Sequence, residues 1–450
     1  MKRDAIDFEN GKVSFLFRKL LIPTLLGTLA MSAVTAIDGI FVGHGVGADG
    51  VAAVNIAVPM YQIMAGLGLM IGAGCSVVSS IHLSQNKIDI ARINITQAIV
   101  FTSLLVFLMT FAVLSFPTQF AYLLGSSDTL LPQVTDYLEW IMPSYLFQMW
   151  SMIGLFIIRL DGSPKYAMWC NIIPAALNAI LDWLFIFPLN MGVKGAAIAT
   201  SISIIVGGLM ALAYLLCFAK DLRLVRLKTS RKSIMLTLRN IGYQCKIGSS
   251  TMLGELTLAV LIFVGNLVFM HYLGDNGVAA FGIACYYTPF SFSVGNAIAE
   301  SAQPIISYNY GIERWKHIRE SRNLLLGTSV ICGGIVTLLF VFTPYILVGL
   351  FVDTDSTAGQ LAIKGFPLYA IGVIFFILNV AVTGYYQSIE RIGISTTYVF
   401  LRGFALLIPC FIILPKLMGT NGIWLAMPTA EIITLLFMGI ILYCSRRKSK

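Results

Sequence analysis

The sequence predicts an all-α integral membrane protein, with twelve transmembrane helices arranged as two parallel six-helix repeats. Of its 450 residues, 58% are hydrophobic and only 11% are charged, whereas soluble domains carry about 25% charged residues. Its apolar runs are about 20 residues or longer, the length that a helix needs to cross a bilayer. Short motifs also recur at a fixed offset along the chain, which indicates an internal duplication.

Each of the twelve apolar runs is expected to form one membrane-spanning helix. In chain order they cover residues 16–43, 51–82, 95–115, 134–159, 166–188, 195–218, 246–273, 278–308, 323–345, 358–388, 395–414 and 422–444. A basic stretch separates the sixth run from the seventh. We therefore predict an N-lobe over residues 1–219, a cytoplasmic linker over 220–245 and a C-lobe over 246–450.

The distribution of Lys and Arg predicts the orientation of the chain. With the N-terminus in the cytoplasm, all but four of the 30 basic residues lie on the inner side. The exceptions are Lys194, Lys364 and Lys416 on the outer side and Arg402 within a span. This asymmetry follows the positive-inside rule and places both termini in the cytoplasm. It also explains the net charge of +9 without nucleic-acid binding.

The repeat is visible in matched motifs. Gly50–Ala53 recurs as Gly277–Ala280, and the Met-Gly of Met191–Gly195 recurs in Met418–Gly422, both at an offset of 227 residues. A pair of basic residues after the second span likewise recurs after the eighth. Because each half has an even number of spans, the halves are parallel repeats, an organisation that suits alternating access better than a static scaffold.

Four polar residues of the first half fall at similar depth in their spans. Asp38, Asp182 and Thr200 each lie about 8–9 Å from the outer end of a span, and Asn178 lies about one turn deeper. A carboxylate in lipid costs about 2.5–3.5 kcal/mol on insertion scales. Hard oxygen donors suit a proton or a small cation such as Na⁺. The alternative is that these groups only hydrogen-bond neighbouring helices.

The second half carries its own set of intramembrane charges, namely Glu255, Glu300, Arg402 and Glu431. We expect whichever of Glu255 and Glu300 lies nearer to Arg402 to form a buried ion pair with it. The other acid would then be available to substrate or proton, and Glu431 could serve either purpose. Since buried acids attract organic cations, cationic amphipathic compounds fit better than anions.

The sequence contains no motif for catalysis. It lacks the phosphate-binding loop G-x-x-x-x-G-K-[ST] as well as H-E-x-x-H and G-x-S-x-G. The eight cysteines are scattered singly, without metal-ligand spacing. We therefore expect a protein that is not an enzyme and holds no cofactor or metal, apart from Na⁺ as a coupling ion at Asp38, Asn178, Asp182 and Thr200.

Four segments resemble the multidrug and toxic compound extrusion (MATE) family over nearly the full chain. They are Ala36–Gly43 with the downstream Gly50–Ala53, Asn178–Asp182, Gly192–Ala197 and Ala302–Gly311. The resemblance implies two six-helix lobes around a central cleft, in a bacterial cytoplasmic (inner) membrane. It also implies cation-driven drug export, with a first-lobe cation site that falls on Asp38, Asn178, Asp182 and Thr200.

The resemblance extends to two branches of the family in the second half. Glu255 matches a span 7 acid of members related to NorM, and Glu300 looks like an acid of the MepA-like branch. Members related to NorM also carry an Asp in span 10, where this chain has Asn379 and no acid. The second lobe therefore lacks one of the acids of the cation site that the resemblance to that branch implies.

These observations favour a monomeric antiporter that exports cationic amphipathic compounds in exchange for H⁺ or Na⁺. Its partners would be small organic cations and membrane lipid, not nucleic acid. One alternative is a lipid-linked oligosaccharide flippase of the same superfamily, which would favour a cleft rich in Arg and Lys. Another is a non-transporting membrane scaffold. The sequence does not choose between the two ions.

Overall fold

The computed structural model describes residues 6–46 and 48–448, and these residues form helices and turns without a strand. Eleven of the described helices are long and apolar enough to cross a membrane. The all-helical, multi-pass architecture predicted from composition is therefore confirmed.

The first half of the chain contains seven α-helices. They are α1 (Val13–Gly45), α2 (Ala48–Ser84), α3 (Ile88–Ser115), α4 (Pro117–Leu123), α5 (Leu131–Leu160), α6 (Pro164–Ile186) and α7 (Gly192–Ala213), and a π-helical turn (Tyr214–Phe218) extends α7. Seven more follow: α8 (Arg231–Gly311), α9 (Trp315–Phe342), α10 (Pro344–Gly349), α11 (Thr357–Ser388), α12 (Ile392–Phe400), α13 (Leu407–Met418) and α14 (Thr420–Lys448). A second π-helical turn (Leu401–Ala405) joins α12 to α13.

Helix α8 contains two of the predicted spans. Its 81 residues would extend about 120 Å as one straight helix, far more than the bilayer core of about 30 Å. The helical backbone breaks at Gly274, where φ is 62° and ψ is −157°. Only glycine adopts this conformation readily. The seventh and eighth spans therefore meet at Gly274, and eleven apolar helices supply twelve crossings.

The short helices α4 and α10 were not predicted from hydropathy, yet they reveal the repeat. Each begins with a proline, Pro117 and Pro344, a residue that suits the first turn because its missing N–H would have no helical partner there. The two prolines are 227 residues apart, which is the offset of the sequence motifs.

The chain forms two compact units. One contains the residues up to Met252 together with Ser307–Ile318, and the other contains Leu253–Ile306 and the residues from Arg319 onward. The linker stretch 220–245 lies in the first unit. Asp161 holds its beginning in place, because its carboxylate accepts hydrogen bonds from the backbone N–H groups of Lys220, Asp221 and Leu222.

In the first unit, α1 packs along α6 and α5 packs along α7. Small residues allow the close approach. A Cβ at Gly208 of α7 would collide with the backbone of Phe147 in α5, so only glycine fits at this contact. These two helix pairs place the polar side chains of α1, α5, α6 and α7 near one another.

Candidate cation site

The centre of the candidate site is a pair of carboxyl groups from α1 and α6. Asp182 is fully buried, and its carboxyl group lies close enough to that of Asp38 for a hydrogen bond once one of them is protonated. Within the described residues, neither oxygen of Asp182 nor Oδ1 of Asp38 receives a hydrogen bond from a neighbouring donor. Ionised carboxylates are acceptors only. Two of them in contact therefore require a proton or another cation between them.

A second polar pair lies on α6 and α7. The side-chain amide of Asn178 donates to the hydroxyl oxygen of Thr200 over 3.4 Å, and Asn178 is buried. Asn178 precedes Asp182 by four residues, so both side chains lie on one face of α6. The four residues singled out from sequence depth thus form two contacting pairs within the first unit, and α6 contributes one member of each pair.

Sequence reasoning missed a fifth group, Tyr137 of α5. Its phenol interacts electrostatically with both Asp38 and Asp182. Counting residues from the end of the span could have found it. Tyr137 lies six residues inside the start of α5 at Leu131, or about 9 Å along the helix. The predicted span began at residue 134 and so placed Tyr137 too close to the surface. A neutral hydroxyl beside two acids can donate to either carboxylate.

In the second unit Arg402 has a different partner from the one predicted. Its Nε lies 3.2 Å from Oε1 of Glu431, and both side chains are at most 3% exposed. The expectation that Arg402 pairs with Glu255 or Glu300 is therefore wrong. Sequence depth could not identify the partner, because the pairing depends on which faces of the helices meet in the folded unit.

Further contacts enclose this buried ion pair. The side-chain amide of Asn379 in α11 donates to Oε2 of Glu431 over 2.7 Å and to its backbone oxygen over 2.9 Å. The guanidinium of Arg402 lies over the ring of Phe376, 4.5 Å from its centroid. Asn379 thus lies beside an acid that comes from α14. The hydrogen bond from Asn379 satisfies one oxygen of the buried carboxylate, which lowers the cost of burying the pair.

Glu255 and Glu300 form a separate acidic pair within α8. The two side chains interact electrostatically with each other, and both are partly buried. Glu255 lies before the break at Gly274 and Glu300 lies after it. The two acids can therefore interact only because the helical segments on either side of the break pack against each other. The second unit thus contains two acids whose charges act on each other, in addition to the ion pair of Arg402 and Glu431.

The donors at Asp38 and Asp182 are carboxylates supported by an amide, a hydroxyl and a phenol. No group of three or more His, Cys, Asp or Glu side chains placed to hold a metal ion occurs among the described residues. Hard oxygen donors with at most two negative charges suit a proton or a monovalent hard cation. The unpaired carboxylate oxygens fit such an ion.

Two long stretches of the chain match one protein family. The MatE family model matches residues 23–184 and 251–412. The chain belongs to the MatE family. The two matches begin at residues 23 and 251, an offset close to that of the sequence motifs, so each half carries one copy of the MatE unit. MatE proteins are transporters, and the prediction that the chain is not an enzyme is confirmed.

Known MatE proteins resemble the chain over its full length. The multidrug export protein MepA of Staphylococcus aureus (strain MSSA476) is 25% identical over 443 residues, covering 98% of this chain and 95% of that protein. The structure of the MATE multidrug transporter DinF-BH aligns with a TM-score of 0.85 and 26% identity, over 99% and 98% of the two chains. An outward-facing multidrug resistance MATE transporter gives a TM-score of 0.87 at 20% identity, over 98% of each chain.

Proposed function

We propose that this MatE protein exports cationic amphipathic compounds from the cell in exchange for H⁺ or Na⁺, by alternating access. The contact between the carboxyl groups of Asp38 and Asp182 carries the proposal, because it demands a cation. The names of its relatives support the substrate class: MepA is a multidrug export protein, and DinF-BH is a multidrug transporter.

The carboxyl pair provides a physical basis for coupling. With a proton or Na⁺ between them, Asp38 and Asp182 are compatible with close packing of α1 on α6. Without a cation, two like charges in a low-dielectric interior repel each other by several kcal/mol, which favours separation of the helices. The ion thus binds one arrangement more tightly than the other. Such differential affinity is the requirement for shifting a conformational equilibrium.

The second unit offers the acids for a cationic substrate. Glu255 and Glu300 lie near each other, whereas Glu431 is neutralised by Arg402. The flippase alternative would need basic groups for a pyrophosphate. Arg402 is the basic residue predicted within a span, and its pairing with Glu431 removes it from that role.

Ethidium efflux from proteoliposomes tests the proposed function. We expect the purified protein to move ethidium against its concentration gradient when an inward gradient of Na⁺ or of H⁺ is imposed, and the gradient that drives efflux identifies the ion. Vesicles without protein are the control. If correctly folded protein moves no cationic dye under either gradient, the antiporter proposal fails.

Neutralising the second acidic pair is expected to weaken substrate binding more than coupling. In Glu255→Gln or Glu300→Gln, loss of one charge should raise the KM for ethidium by about 10- to 150-fold, since a hydrogen-bonded contact with a charged group contributes about 1.5–3 kcal/mol. Glu320→Gln, an exposed site on α9, is the matched control. If efflux instead stops at every ethidium concentration, coupling belongs to the second unit.

A further inference from the structure

The linker between the halves contains a helical segment with three distinct faces. This segment is the beginning of α8, residues 231–246, and it belongs to the first unit. One face is polar and bonds to α3. Gln97 donates to the hydroxyl of Thr237 over 2.9 Å, Asn240 donates to Gln97 over 3.0 Å, and Gln244 donates to Asn94 over 3.2 Å. The protein-facing side of the segment therefore carries these polar side chains, next to the buried Ile241.

These contacts indicate that the segment crosses α3 at a steep angle. From Thr237 to Gln244 the segment advances about 10.5 Å along its own axis, whereas its contact point moves from Gln97 to Asn94, about 4.5 Å along α3. Asn94 lies near the beginning of α3, at the end that the basic residues place in the cytoplasm. Because α3 spans the membrane, a segment that crosses it here runs along the inner membrane surface.

A second face is apolar, and the part of it at the beginning of the segment is uncovered. Ile234, Met235 and Leu238 are 54%, 65% and 57% exposed, although they are among the most hydrophobic residues of the linker. Ile234, Leu238, Ile241 and Cys245 recur at helical spacing and form one stripe. Packing within the chain leaves the first part of this stripe open.

The third face is basic and borders the apolar one. Arg231, Lys232, Arg239 and Lys246 are all exposed, and on a helical wheel they occupy one arc beside the apolar stripe. Between Leu222 and Gly254 the sequence has seven basic residues and no Asp or Glu. No acidic side chain within the segment itself therefore neutralises this face, and its natural complement is an anionic surface.

We propose that residues 231–246 form an interfacial helix that binds anionic phospholipids of the inner leaflet. Its apolar stripe would enter the acyl-chain boundary, and its basic arc would contact the phosphate groups. Apolar and basic stripes side by side are typical of helices that lie in the membrane interface, and each nearby Lys or Arg strengthens binding to anionic lipid. The polar face is bonded to α3, which fixes the segment at a depth where it can reach both the acyl-chain boundary and the phosphate groups.

Lipid-dependent stabilisation of the full-length protein tests the basic face. We expect phosphatidylglycerol to raise the Tm of the wild type in mixed micelles more than phosphatidylcholine does. The triple variant Arg231→Gln, Lys232→Gln and Arg239→Gln should lose at least half of that difference. A matched triple variant, Lys316→Gln, Arg319→Gln and Arg391→Gln, removes three exposed charges elsewhere and should keep it. If the first triple variant keeps the full difference in Tm between the two lipids, the proposal is overturned.

Quenching by brominated lipids tests the apolar face independently. Leu238→Cys, in a folded and monodisperse full-length variant without the native cysteines, would be labelled with an environment-sensitive fluorophore. In vesicles containing phosphatidylglycerol, bromine on the acyl chains should quench it several-fold more than a label at the exposed Lys228→Cys. Equal quenching at the two sites would show that the segment does not enter the bilayer, which overturns the proposal.

Discussion

Asp182→Asn and Asp38→Asn are each expected to abolish gradient-driven efflux of ethidium. Asparagine has nearly the same size as aspartate but carries no charge. The Asp38–Asp182 contact then no longer requires a cation, so ion binding ceases to distinguish the two arrangements of α1 and α6. An ion that binds both arrangements equally shifts nothing, so gradient-driven efflux should fall to the level of vesicles without protein.

The stability of these variants separates a coupling role from a structural one. Because each substitution removes a repulsion between like charges, the free energy of unfolding should not fall, even though efflux does. The double variant should be no worse than either single one, since residues that act as a unit are not additive. Asp136→Asn, at an exposed position on α5, is the matched control and should retain efflux.

Two results would contradict this assignment. The first is wild-type efflux in both single variants, which would remove the carboxyl pair from the coupling mechanism. The second is a loss of efflux accompanied by an equal loss of stability, which would indicate that the acids only hold helices together. Initial rates of ethidium efflux at matched protein content test the first result. Thermal unfolding of the same samples tests the second.

Arg402→Met is expected to destabilise the second unit strongly. The substitution leaves Glu431 buried without its cation, and breaking a buried ion pair by removing one partner costs about 3–5 kcal/mol. The contact of the guanidinium with Phe376 is lost as well. The free energy of unfolding, measured by titrating mixed micelles with sodium dodecyl sulfate, should fall by that amount. Lys416→Met, at an exposed position on α13, should leave it nearly unchanged.

A second substitution should reverse most of this effect. In the double variant Arg402→Met and Glu431→Gln, no charge remains buried, while the side-chain oxygen at position 431 still accepts the hydrogen bond from Asn379. Most of the lost stability should return. If the double variant is as unstable as the single one, the ion pair is not the reason for the loss, and packing of the methionine must be.

Much of the first-unit site could be predicted because helical geometry converts sequence position into depth. In the spans predicted from hydropathy, Asp38, Asp182 and Thr200 all lie about 8–9 Å from the outer end. The same rule missed Tyr137, because the start of its span was misplaced by three residues. A boundary error of one turn moves a side chain by about 5 Å, enough to remove it from the layer.

The partner of Arg402 could not be predicted in this way. Depth gives one coordinate along the membrane normal, but a contact also requires that two helices be neighbours and turn the correct faces toward each other. Glu255, Glu300 and Glu431 were all compatible with Arg402 by depth. Only packing of the π-helical turn against α14 selected Glu431, and only the fold placed Asn379 and Phe376 around the pair.

By itself the sequence determined that the protein is an all-helical membrane protein with a duplicated chain, because hydropathy, charge asymmetry and repeated motifs are properties of linear order. It also determined which costly polar groups lie at matching depth. The tertiary structure decided which of those groups touch: Asp38 with Asp182, Asn178 with Thr200, and Arg402 with Glu431. The reason is physical. Burial energy depends on the identity of a residue, whereas pairing depends on the rotation and adjacency of helices, which tertiary packing sets.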